Sequence, residues 1–129
     1  IYASAETIAV VGATPNPEKA GNSIPRYLQS QGYRIVPVTP AHDEVFGTRA
    51  YPSLADVDVP VDVVDVFRPA SEAPEIVRQA ITVGASVVWL QLGIESDEAA
   101  AIGEQAGLTV IMDLCMGATH RNLGIGPRS

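Results

Sequence analysis

Apolar residues along this chain gather into five short runs, at 8–11, 34–38, 61–67, 86–90 and 108–112, the third of which is mostly apolar but carries Asp62 and Asp65. They are rich in β-branched residues and do not alternate with polar ones, which predicts strands buried on both faces of a parallel sheet. Between the runs the apolar positions recur at helical spacing. Ile24, Tyr27 and Leu28 mark one face, Ile76, Val77, Ala80 and Ile81 a second, and Ala99, Ile102 and Ala106 a third. Helices are therefore predicted from about 17–19 to 31, from 71 to the residue before Gly84, and over 96–105, closed by Gly32, Gly84 and Gly107. Pro37 removes a backbone donor from the second strand, so pairing there is expected to be incomplete. Residues 45–47 and 50–51 are read as a small excursion over the sheet, and Ser53 as the N-cap of a short turn at 54–56. Residues 1–6 are read as a leader, and 113–129 as an irregular tail with one helical turn. Strands alternating five times with helices predict an α/β chain with an open parallel five-stranded sheet and helices on both faces.

With 129 residues, 47% hydrophobic and 18% charged, the chain fits one domain with an ordinary core. The formal net charge of -7 argues against nucleic acid, whose binders carry a basic face. The one cysteine, Cys115, excludes an internal disulfide and fits a reducing cytoplasm. No apolar run approaches the ~18–20 residues of a membrane span, and no signal segment is seen. The chain begins at Ile1 rather than Met, so some native residues are expected to precede it.

In open α/β sheets ligands lie beyond the carboxyl ends of the strands. That geometry alone singles out residues 12–14, 39–42, 67–69, 91–93 and 113–115. The first strand runs through Gly12 into a loop and then a helix, where backbone N–H groups and the positive helix end favour an anion such as phosphate. The dinucleotide pattern Gly-x-Gly-x-x-Gly fails, because Thr14 stands where its second glycine belongs. An acidic residue that would hold an NAD ribose is missing at the end of the second strand, where Thr39 and Pro40 stand instead. The Walker pattern fails as well, since Lys19 lies seven positions after Gly12 with no second glycine before it.

The segments Val-Val-Gly-Ala-Thr-Pro-Asn-Pro-Glu-Lys (10–19), Val-Pro-Val-Thr-Pro (36–40), Val-Phe-Gly (45–47), Tyr-Pro-Ser-Leu (51–54), Val-Asp-Val-Val-Asp-Val-Phe-Arg-Pro (61–69) and Val-Val-Trp-Leu-Gln-Leu-Gly-Ile (87–94) stand in an order and spacing that resembles the small CoA-binding proteins. These are similar to the CoA-binding domain of the succinyl-CoA synthetase α subunit. The resemblance covers residues 7 to about 123. It implies a Rossmann-like fold, hence a nucleotide-binding module, and coenzyme A or an acyl-CoA as the ligand. It puts Gly12, Ala13 and Thr14 at the CoA phosphates and Lys19 where small members often carry a basic residue. It puts Val38, Thr39 and Pro40 on the adenosine side, with His42 in place of the synthetase's lysine, Phe67 and Arg68 after the third strand, and Gln91 after the fourth. Thr39-Pro40 departs from the Asn-Pro of many small members. Lys19, Arg68 and His42 would offset the acidic field that a ligand with several phosphates meets.

Plainer readings stand beside these. Gly12 could only allow a turn, Thr14 only cap one, Lys19 only be solvated, and Arg68 pair with Asp65 or Glu72. Asp62 and Asp65 fall on opposite faces of a regular strand and are read as structural or interfacial. Trp89 is read as core. Cys115 and His120, in the tail, are weak evidence for a nucleophile and its base, and no spacing suggests a metal site. The sequence thus supports a non-catalytic binding module without a complete catalytic apparatus. The alternatives are an NAD-binding redox regulator, or a CoA-ligase component that needs a partner subunit. A homodimer or a partner protein stays open. Gly12→Val is expected to block phosphate approach and leave the fold largely intact.

Overall fold

A computed structural model describes residues 5–123. Its main sheet consists of β1 (Thr7–Val11), β2 (Arg34–Val38), β5 (Val63–Val66), β6 (Val87–Leu90) and β7 (Thr109–Ile111), with a small hairpin of β3 (Glu44–Val45) and β4 (Thr48–Arg49) between β2 and β5. The five long strands lie in the order β2-β1-β5-β6-β7 and every pair is parallel. Helices α1 (Ala20–Ser30), α2 (Ala73–Thr82), α3 (Asp97–Gln105) and α4 (Met116–Asn122) connect or follow them. The five predicted runs are these five strands, and the fold is the Rossmann-like open sheet that the sequence predicts.

Each strand feeds two cores because its side chains alternate between the sheet's faces. Ala9, Val11, Val64, Val66, Val88 and Leu90 pack with Ala73, Ile76, Val77 and Ala80 of α2 and Ala99 of α3. Ile8, Val10, Val63, Val87 and Trp89 pack with Leu28 of α1 and Met116 of α4. Continuous apolar runs are what a sheet covered on both faces demands.

The strand order carries one consequence for function. From β1 the chain moves outward to β2, then crosses back over β1 to β5. Connections leave β1 and β5 in opposite directions, and a crevice opens between their carboxyl ends.

The structure also amends several local expectations. Pro37 sits on β2, an edge strand, where the missing donor costs no interior ladder bond, and its carbonyl accepts from the Tyr51 N–H. The excursion at 45–51 is the β3–β4 hairpin, turned through Phe46 and Gly47, both at positive φ. Ser53 does not cap its turn; its hydroxyl donates to Asp56. The stretch read as a leader is outside the described residues up to position 4, but Ala5 is core and the N–H groups of Glu6 and Thr7 donate to Asp62. The largest correction is the tail. Residues 116–122 form α4, which packs on α1, while the expectation for residues 124–129 lies outside the described part.

Candidate functional site

Beyond the carboxyl edge of the sheet lies a cleft of about 630 Å³, walled by the first loop, the start of α1 and the ends of β5 and β6. Gly12, Ala13, Thr14, Lys19, Thr39, His42, Phe67, Arg68 and Gln91 line it, together with Leu92, Ile94 and Cys115. A second hollow of about 360 Å³ shares Gly12, Thr39, Ala41 and Arg68 with the first and adds Val38 and Pro40. All eleven residues singled out in the sequence therefore lie along one continuous groove. Its size falls in the range of ordinary ligand sites, roughly 300–1,000 Å³.

The first loop is held from both sides. Gly12 turns the chain out of β1 at φ +93, and its N–H donates to the Val38 carbonyl. A Cβ at Gly12 would lie 3.0 Å from the Phe67 carbonyl oxygen and 3.1 Å from Arg68 Cδ. The glycine thus lets the ends of β1 and β5 approach, and a valine there would strain the backbone as well as the cleft. Gly12→Val is therefore not the fold-neutral change expected from sequence. Farther along, Thr14 Oγ1 accepts from the Asn16 N–H, and the Thr14 carbonyl accepts from Asn22 Nδ2 at 2.8 Å. Asn22 is buried in α1, so this bond clips the loop to the helix.

Gly21 completes the junction and was missed in the sequence. A Cβ on it would stand 2.6 Å from the Gly12 carbonyl oxygen, a backbone atom that cannot swing away. A glycine at the second residue of the helix that follows a glycine loop was the signal for it, since such loops use a glycine to seat the helix against the strand. Gly21→Ala is expected to lower stability by about 1–3 kcal/mol, the usual cost of forcing an atom into filled space. Urea unfolding checks this, and an unchanged midpoint would show that the loop yields freely.

No side chain caps the N-terminus of α1, and Ala20 and Gly21 line the cleft, so the positive end of the helix dipole faces it. Lys19 is exposed at the N-cap position and makes no ion pair among the described residues. Arg68 is half exposed and pairs with Glu72 at 2.7 Å rather than with Asp65. That hydrogen bond holds the guanidinium charge more firmly than usual. At the end of β2, Thr39 Oγ1 accepts from the Ala41 N–H and shapes the turn that leads to His42.

Asp65 is read as structural in the sequence, and the structure gives it a definite place. It is fully buried in the middle of β5, between Val10 and Trp89, and accepts a hydrogen bond from Gln91 Nε2. Its Oδ2 has no hydrogen-bond partner among the described residues. Burial pushes its pKa up to about 7, against a smaller pull downward from the Gln91 amide.

Cys115 and His120 do not form a nucleophile and base pair in the tail. Cys115 borders the cleft, but its Sγ caps α4 by accepting from the Ala118 N–H. His120 is fully buried in α4 with Nδ1 2.8 Å from the Tyr27 hydroxyl. No group of His, Cys, Asp and Glu among the described residues is arranged to hold a metal ion, and no described helix is long and apolar enough to cross a membrane.

Comparison with known proteins adds four findings. Residues 6–121 match the family model described as a CoA binding domain. The uncharacterized protein YneT of Bacillus subtilis is 37% identical over 120 residues, which are 93% of this chain and 89% of that protein. A hypothetical protein of known structure from Pyrococcus horikoshii is 39% identical and superposes with a TM-score of 0.91 over 94% of this chain and 85% of that one. The acetate–CoA ligase (ADP-forming) I of Archaeoglobus fulgidus is 25% identical over 132 residues, and the match spans 93% of this chain but only 19% of the ligase.

Proposed function

The chain belongs to the CoA binding domain family, and from that premise we propose that it binds coenzyme A or an acyl-CoA in the groove at the carboxyl edge of its sheet. One observation carries the reading. A glycine turn, an uncapped helix N-terminus and two cationic side chains, Lys19 and Arg68, border the same crevice between β1 and β5. A diphosphate is the ligand feature that uses all of them. Backbone N–H groups satisfy its oxygens, the dipole and the two cations balance its charge, and the glycine leaves room for close approach. In a chain with a net charge of -7, such local compensation is needed for a polyanion to bind at all.

The adenosine then lies toward Val38, Thr39 and Pro40, over the second hollow, and the phosphates lie at Gly12, Ala13 and Thr14. The pantetheine arm runs the other way, past Phe67 and Gln91 toward Leu92 and Cys115. The groove suits this division, because the glycine loop and Arg68 are common to both of its parts. Binding is the role proposed for these residues. The second role, as the CoA-holding part of a ligase with a partner subunit, is supported by the similarity to the Archaeoglobus fulgidus ligase.

Calorimetric titration of ligand-stripped protein with CoA, and with NAD and ATP alongside, tests the reading. Micromolar CoA binding with little heat from the other two is expected. NAD binding without CoA binding would overturn it in favour of a redox role.

A further inference from the structure

Gln91 is 4% exposed, yet it reaches the wall of the cleft. Both ends of its amide are engaged. Nε2 donates to Asp65 Oδ1, and Oε1 accepts from the Met116 N–H at 3.3 Å. An amide in a tight site can sit either way round, and its neighbours decide which. Here both neighbours select the same orientation. Asp65 offers an acceptor to the NH₂ group, and the first residue of α4 offers a donor to the oxygen. The flipped amide would set its NH₂ against the Met116 N–H.

The bonds link three elements. Asp65 belongs to the central strand β5, Gln91 follows β6, and Met116 opens α4 directly after Cys115, which borders the cleft. We infer that Asp65 is a positioning residue for the groove: by fixing the Gln91 amide, and through it the start of α4, it shapes the wall along which the pantetheine arm of the ligand lies. The inference rests on the CoA-binding reading above. Gln91 keeps a second Nε2 proton and a second Oε1 lone pair for the ligand, which is the other half of what a fixed amide can offer. Val38 and Pro40 of the proposed adenosine side line the second hollow, which Gln91, Leu92 and Cys115 do not border.

The test compares two probes on three proteins. CoA carries the pantetheine arm and adenosine 3′,5′-bisphosphate does not. Asp65→Leu keeps the branched outline of the side chain, with bulkier methyl groups in place of the oxygens, and removes the acceptor, whereas Asp65→Asn keeps an acceptor oxygen for Gln91. Asp65→Leu is expected to bind CoA about tenfold more weakly, the scale of one lost hydrogen bond. Its affinity for the bisphosphate should stay within about twofold of wild type, and Asp65→Asn should restore CoA binding. If Asp65→Leu does not fold, Asp65→Val, which also removes the acceptor and suits the valine run of β5, is read for the same affinity ratio. A folded variant whose ratio of the two affinities matches wild type overturns the positioning role, as does an equal loss for both probes. Wild-type protein that binds neither probe would instead overturn the CoA reading itself, and this inference with it.

Discussion

Arg68→Glu is expected to weaken CoA binding by about one to two orders of magnitude while leaving the thermal midpoint within a few degrees of wild type. A hydrogen bond from a charged group to a phosphate contributes about 1.5–3 kcal/mol, or about ten- to a hundredfold in affinity. The reversed charge adds repulsion. Arg68 reaches both parts of the groove, so it can meet phosphate wherever the diphosphate settles between them. The stability cost is small, because the ion pair lost among the described residues is the half-exposed one with Glu72, and such pairs contribute about 0–1 kcal/mol. In wild type, Glu72 competes with phosphate for the guanidinium, which sets the expected loss toward the lower end of the range. Titration calorimetry at two salt concentrations reads the effect. Wild-type affinity should fall with salt more steeply than that of the variant, since one charge contact fewer is screened. A folded Arg68→Glu protein that binds CoA as wild type does would remove Arg68 from the site and put the phosphates elsewhere along the groove.

The parts of the fold that were legible in the sequence are those in which local pattern and tertiary demand agree. Val63, Val64 and Val66 form a strand by propensity and are buried on both faces, so the run and the element coincide. Ser96, read from the sequence as the first residue of a helix over 96–105, caps α3 from one position outside it by accepting from the Ala99 N–H. Helix α4 failed that test. Its seven residues include Gly117 and Thr119, too few and too poor in propensity to hold a helix alone. What sustains it is contact with α1. Met116 and His120 stand one turn apart and are both fully buried, and a Cβ at Gly117 would come within 3.3 Å of Ile24 Cγ2. A glycine that reads as a helix breaker is there a packing device.

The groove was legible to a similar depth. Strand ends could be located from the runs alone, but which ends neighbour one another depends on strand order, which no run reveals. Gly12 was visible as a turn residue. Its closeness to the Phe67 carbonyl was not, and neither was the Gly21 contact that closes the same junction from the other side. Asp65 is the sharpest case. An aspartate within a valine run could face either core or an interface. Its meaning came from Gln91, which lies two residues beyond Trp89, the residue opposite Asp65 in β6, and therefore on the same face of the sheet.

Asp65 also gives the protein an expected dependence on pH that a substitution can isolate. Burial raises its pKa from 3.8 to about 7. Between those values the unfolded chain has released the proton and the folded chain still holds it. The unfolded state then binds fewer protons, so stability falls as pH rises, by about 1.4 kcal/mol per unit. Above pH 7 both states are ionised and the loss is complete. Below pH 4 both are protonated and no penalty remains. From pH 5 to pH 8 the wild type is expected to lose about 3 kcal/mol relative to Asp65→Asn, which cannot ionise. Referring wild type to the variant cancels the titration of the surface carboxylates. At pH 5 the two proteins start close together, because the neutral wild-type carboxyl carries its proton on the unpaired Oδ2 and the variant sets its NH₂ group in the same place. The two stability curves should therefore diverge toward pH 8, with the variant the more stable. Urea unfolding at pH 5, 6, 7 and 8 measures the difference directly. A difference that stays constant over that range would mean that Asp65 is ionised throughout, and that the Gln91 amide stabilises a buried negative charge rather than a neutral carboxyl.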